Sequence, residues 1–129
     1  MGAMLVRHEP TSASAVRREL ALDLDLHGVG DDAIFDVTLV ASELIGNAVR
    51  HGGISPEGDL DVNWTVTATS VIISVEDPSA ELPVLTEAAA DAPSGRGMSI
   101  VDTLSAAWGV ERTRRGKRVW AKIPVAIAS

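Results

Sequence analysis

The sequence predicts an α+β domain: a two-layer sandwich in which three helices cover one face of a mixed, mainly antiparallel sheet. Three observations predict it. Capping residues or apolar positions at helical spacing mark three separate segments. Runs rich in β-branched residues come in pairs joined by short turns, as hairpins do. No glycine-rich turn links an early strand to a helix with an acidic residue at the dinucleotide-binding distance, which argues against a doubly wound α/β fold.

Taken in order, Met4 to Glu9 reads as an extended segment ended by Pro10. Thr11 or Ser12 then caps a helix running to about His27, which Gly28 and Gly30 stop. Asp31 and Asp32 favour the positive end of a second helix. Its apolar positions Ile34, Val37, Ala41, Leu44, Ile45 and Ala48 keep helical spacing up to Gly52-Gly53. Leu60 to Thr69 and Val71 to Glu76 read as two antiparallel strands with a turn at Thr69-Ser70. Pro78 to Ser94 carries three prolines and an alanine run without periodicity, so a long loop is expected. Gly97 opens a third helix with Met98, Ile100, Val101 and Leu104 as its apolar stripe, fading near Ala106-Ala107. Trp108 to Thr113 and Arg118 to Val125 flank a tip at Arg114 to Lys117, where Gly116 is expected to supply a positive φ.

The chain has 129 residues, 46% apolar and 22% charged, so a single domain over 1–129 is expected rather than disorder or two cores. Its apolar stretches are interrupted well before the roughly 18 residues a membrane helix needs, and no secretory leader opens it, so a cytoplasmic, membrane-free protein is expected. The absence of cysteine excludes disulfides and thiolate metal sites. A formal charge of -7 repels a phosphate backbone and disfavours direct nucleic-acid binding. Against that balance, Arg112, Arg114, Arg115, Lys117 and Arg118 crowd around Gly116; a solvated hairpin tip is the favoured reading and an acidic partner the other.

Chemistry concentrates on the second helix, where Glu43, Asn47 and His51 lie at steps of four, in line with Val40 and Asp36. Gly46 and Ala48 beside Asn47 leave room for something bulky. An amide oxygen is a hard ligand that suits Mg²⁺, which prefers few protein ligands together with phosphate oxygens. Glu43, one turn earlier, is either a proton acceptor or a helix-surface carboxylate. Arg50 is either a phosphate ligand or a surface arginine. His51 has no partner at zinc-ligand spacing and is assigned to packing. Asp77, ionised and acceptor-only, suits an exocyclic amino group, although Asp77-Pro78-Ser79 also reads as turn chemistry. Gly95 and Gly97 at a helix mouth can offer backbone N–H groups to phosphate.

The run Glu43-Leu44-Ile45-Gly46-Asn47-Ala48-Val49-Arg50-His51-Gly52 resembles the N box of the Bergerat-fold (GHKL) ATPases and kinases, in the branch of bacterial anti-sigma serine/threonine kinases. Val75-Glu76-Asp77 resembles that family's first glycine box, and Ser94-Gly95-Arg96-Gly97-Met98 its second, in the same order and at fitting separations. The resemblance covers nearly the whole chain. It implies ATP and Mg²⁺ as cofactors, with the metal on Asn47 and Glu43 as the catalytic base. It also implies Asp77 reading adenine, Arg50, Gly95, Arg96 and Gly97 around the phosphates, and the preceding loop as a lid. The implied partners are a sigma factor and an anti-sigma-factor antagonist, the antagonist being the phosphorylation substrate; a homodimer is a further expectation. The alternative is a non-catalytic module of the same fold that binds nucleotide weakly or acts only through protein contacts.

The chain departs from the family pattern in two places. Asp77 is followed by Pro78, Ser79 and Ala80 instead of x-Gly-x-Gly. Lys117 and Arg118 follow Gly116, where many relatives place a threonine that supports the aspartate. Both departures bear on base recognition, and neither touches Glu43 or Asn47.

Overall fold

The computed structural model describes residues 2–7, 11–51, 59–78 and 96–126, without the side chains of residues 50, 51, 59, 96 and 97. The elements run β1 (Gly2–Arg7), α1 (Ser12–Leu26), α2 (Asp31–His51), β2 (Asp59–Val66), β3 (Ser70–Asp77), α3 (Arg96–Leu104), β4 (Ala107–Arg112) and β5 (Lys117–Pro124). The strands form one five-stranded sheet in the order β1-β2-β3-β5-β4. Each neighbouring pair is antiparallel. The α+β sandwich expected from the sequence is therefore the observed architecture, with a fully antiparallel rather than a mixed sheet among the described residues.

Helix α1 buries Ser12, Val16, Leu20 and Leu24, a stripe at steps of four. Its start differs from the expected cap. Thr11 occupies the cap position without a side-chain capping bond, and the Ser12 hydroxyl instead donates to the Arg7 carbonyl at 2.6 Å, tying the helix to β1. Its end is a Schellman motif: the Val29 N–H reaches the Leu24 carbonyl at 3.0 Å and the Gly28 N–H reaches that of Asp25 at 3.0 Å. Gly28 takes the required left-handed conformation, with φ 82. Val29 joins Leu24 in the core and so sets the angle at which α2 departs.

Helix α2 is the central element and packs on α1, α3, β3 and β5. Asp31 and Asp32 stand in its first turn, where the helix dipole favours negative charge. Val37, Val40, Ala41, Leu44, Ile45 and Ala48 are buried from it. They share one core with Leu60, Val62 and Trp64 of β2, Val71, Ile73 and Val75 of β3, and Val119, Ala121 and Ile123 of β5. Period-two alternation in the strands puts these residues on the helix side and leaves Glu76 and Arg118 on the other. Trp64 Nε1 donates to Asp23 Oδ2 at 2.7 Å, so its buried indole has a polar partner on α1.

Strand β5 starts at Lys117, one residue earlier than expected, and this shift bears on function. Gly116 does not have the positive φ expected of it; among the described residues only Gly28 does. Its lack of a side chain serves a close approach instead. A Cβ at residue 116 would overlap the Asp77 carbonyl oxygen and the Pro78 backbone. The β4–β5 turn, closed by the Thr113 N–H to the Gly116 carbonyl at 3.0 Å, thus lies against the end of β3.

Candidate functional site

Two of the predicted site residues sit where the sequence pattern put them, on α2. Glu43 is half-buried, and Asn47, one turn later, is only 3% exposed. Both continue the line of Asp36 and Val40, along which burial alternates: Asp36 and Glu43 are half-buried, Val40 and Asn47 buried. Asn47 Nδ2 has no hydrogen-bond partner among the described residues. A buried amide donor left unmatched costs about 1–3 kcal/mol, so a folded protein retains one mainly where something else provides the partner. The chemistry of this side chain suits a metal–triphosphate ligand, since exchanging its amide oxygen and nitrogen presents either a hard oxygen or an N–H to the same space. At this end of the site, the residues fit ATP with Mg²⁺.

At the other end the fit is different. Asp77, the last residue of β3, faces the helix layer in phase with Val75 and Ile73 and is 0% exposed. Directly across the ladder is Lys117, 1% exposed and on the same face. The Lys117 ammonium donates to Asp77 Oδ1 at 3.2 Å and stands 3.2 Å from Oδ2. A buried ion pair of this kind offsets a desolvation penalty of several kcal/mol per ion, so each charge depends on the other. The expected solvated tip is thus corrected for Lys117, which is among the largest fully buried side chains. Alternation could have revealed this, because Lys117 is in step with Val119, Ala121 and Ile123, the inward residues of β5.

The rest of the cationic run divides between partners and solvent. Glu76, on the outer face, is 3.4 Å from Arg115 and 3.5 Å from Arg118. Arg112 and Arg114 are exposed. The same tip is therefore held from the inner face by Asp77 and from the outer face by Glu76.

The remaining predicted residues are only partly placed. Arg50 belongs to the last turn of α2 and Arg96 and Gly97 to the first turn of α3, but their side chains lie outside the described residues. Gly95, residues 79–94 of the predicted lid and the Gly52-Gly53 helix stop also lie outside them. Among the described residues no group of three or more His, Asp and Glu gathers to hold a metal. No helix among them is long and apolar enough to cross a membrane. An apolar groove between α2 and α3, lined by Leu39, Ser99, Ile100, Thr103 and Leu104, begins one turn before Glu43 and includes none of the site residues.

An antiparallel sheet under three helices, with a buried amide on the central helix and a carboxylate at a strand end, defines the class. The family model of the histidine kinase-like ATPase domain matches residues 6–123, and the chain belongs to that family. The N-box resemblance of residues 43–52 is borne out at that level.

Among solved structures, the chain is similar to the RsbU and RsbW domains of Rv1364c from Mycobacterium tuberculosis. The TM-score is 0.72 at 17% identity, over 100% of this chain and 35% of that one. It is also similar to the histidine kinase domain of the blue-light activated histidine kinase from Erythrobacter litoralis EL346. There the TM-score is 0.55 at 16% identity, over 90% of this chain and 60% of that one. The chain thus spans about a third of the first protein's length and less than two thirds of the second's, and these likenesses concern the fold. No curated protein matches it.

Proposed function

We propose that this chain binds ATP with Mg²⁺ and acts as a serine/threonine protein kinase and anti-sigma factor, phosphorylating an anti-sigma-factor antagonist. The observation that carries the reading is Asn47: a buried amide whose Nδ2 is unmatched among the described residues, one turn beyond a half-buried carboxylate, in a histidine kinase-like ATPase domain. The likeness to a structure that contains an RsbW domain supports the regulatory branch.

Asn47 would hold the metal, and Arg50, Arg96 and the backbone N–H groups of Gly95 and Gly97 would hold the phosphates. When bound, ATP supplies the transferable phosphoryl group and Mg²⁺ neutralises charge on it. Glu43, half-buried one turn before Asn47, would accept the proton of the incoming seryl hydroxyl. Asp77 is the base-facing residue of this site.

The second reading, a non-catalytic module of the same fold, is favoured by one observation: the acceptor on Asp77 already has the Lys117 ammonium against it. Incubating the purified protein with γ-labelled ATP and candidate antagonist proteins separates the two. Transfer to serine by the wild type, lost in Glu43→Ala, supports the kinase. Equal transfer by both removes Glu43 as base, and no transfer to any antagonist favours the module.

A further inference from the structure

We propose that Lys117 stands in for the amino group of the base: its ammonium takes the acceptor on Asp77, so this chain holds nucleoside triphosphates by their phosphate–metal end and does not read the base. The inference rests on the nucleotide site proposed above.

Several features of the molecule lead to it. The ammonium lies 3.2 Å from both carboxylate oxygens, so a cation already stands against the acceptor that would take a base amino group. An ammonium is a stronger donor to a carboxylate than a neutral amino group, so exchanging one for the other is unfavourable. Displacement would also strand a cation that is 1% exposed, because β5 aims Lys117 inward by the same alternation that buries Val119 and Ala121.

The tip cannot easily withdraw to make room. Gly116 lies in backbone contact with Asp77 and Pro78, and Glu76 holds Arg115 and Arg118 on the opposite face. The ion pair is thus part of the sheet's closure and not a side-chain option. Nothing comparable is seen at Asn47, whose Nδ2 is unmatched among the described residues. Selectivity is therefore lost at one end of the site while the other remains competent. The ligand class is a metal-bound triphosphate with any base, and the discrimination normally supplied by a hydrogen bond to the base, about tenfold per 1.4 kcal/mol, is absent.

The test is calorimetric titration of the wild-type chain with ATP, GTP and CTP, each with excess Mg²⁺, together with Lys117→Thr and Lys117→Arg, whose folding is checked by circular dichroism. The wild type and Lys117→Arg are expected to bind the three nucleotides within about threefold of one another. Lys117→Thr, which removes the ammonium from the Asp77 carboxylate, is expected to gain about tenfold for ATP with GTP and CTP unchanged. A wild type that prefers ATP by tenfold or more overturns the proposal, and this comparison stands even if Lys117→Thr fails to fold. A folded Lys117→Thr that remains indiscriminate overturns the role of Lys117. Absence of uptake of every nucleotide by the wild type and both variants defeats the nucleotide site itself, a different outcome from selective binding of ATP.

Discussion

Replacing Asn47 with leucine should make the ligand-free protein more stable while removing its response to nucleotide. The side chain is 3% exposed and its Nδ2 has no partner among the described residues; a buried donor left unmatched costs about 1–3 kcal/mol. Leucine has the same branching but a clearly larger volume, because two methyl groups replace an oxygen and an NH2. Its neighbours along α2, Leu44 and Ala48, are apolar core residues that accept such a group. Allowing about 1 kcal/mol for the added bulk, the net gain is at most about 2 kcal/mol. In a domain of this size that corresponds to a rise in Tm of up to roughly 8 °C. The assay is thermal melting followed by circular dichroism, with and without millimolar Mg²⁺ and ATP. The wild type should melt higher with ligand, by linkage, and Asn47→Leu should not. A variant that melts several degrees below the wild type in the absence of ligand would show that the amide serves the fold, and the reasoning from its unmatched donor would fail.

Other perturbations follow from the same structure. Glu43→Gln should keep nucleotide affinity within a fewfold, because the residue is assigned to the hydroxyl and not to ATP, while phosphotransfer to an antagonist falls about 10²–10⁴-fold in a radiolabel assay. Gly116→Ala should lower stability by about 2 kcal/mol or more in urea denaturation, since its Cβ would overlap the Asp77 and Pro78 backbone; an unchanged midpoint would mean that the turn does not press on β3. Trp64→Phe removes the 2.7 Å bond to Asp23 and part of a buried ring, and should cost about 2 kcal/mol by the same measurement.

The parts of this molecule that were legible in the sequence are those where a single physical rule dominates. In α2 the apolar spacing, the acidic first turn and the position of Asn47 all agree, and the observed helix buries Val37, Ala41, Leu44, Ile45 and Ala48 as the spacing requires. The strand pairs were legible for the same reason, because β-branched runs around short turns admit few arrangements. Capping chemistry differed where a local hydrogen bond decides it: Thr11 holds the cap position of α1 as expected but makes no side-chain capping bond, and Ser12 bonds back to Arg7.

The β4–β5 tip was misjudged because a cluster of like charges suggested a single shared environment. In the fold its members separate by strand parity: Lys117 goes inward to Asp77, Arg118 goes outward to Glu76, and Arg112 and Arg114 meet solvent. Which of them is buried follows from register against β3, and register is a property of the assembled sheet. Gly116 was similarly assigned a conformational role when its role is steric, since the crowding atoms belong to residues almost forty positions away in the chain. At the candidate site, the sequence pointed to Asn47 and Asp77 together, but only the structure shows that one has a donor unmatched among the described residues and the other a buried cation beside it.

The central claim is that α2 presents a working metal–triphosphate ligand at Asn47. Isothermal titration of the wild-type chain and Asn47→Leu with ATP, each in the presence and absence of Mg²⁺, tests it most directly. Uptake by the wild type that strengthens with Mg²⁺ and vanishes in a folded Asn47→Leu is the predicted result. Equal uptake by both proteins, or no heat of binding from the wild type at millimolar ATP with the metal present, would contradict it.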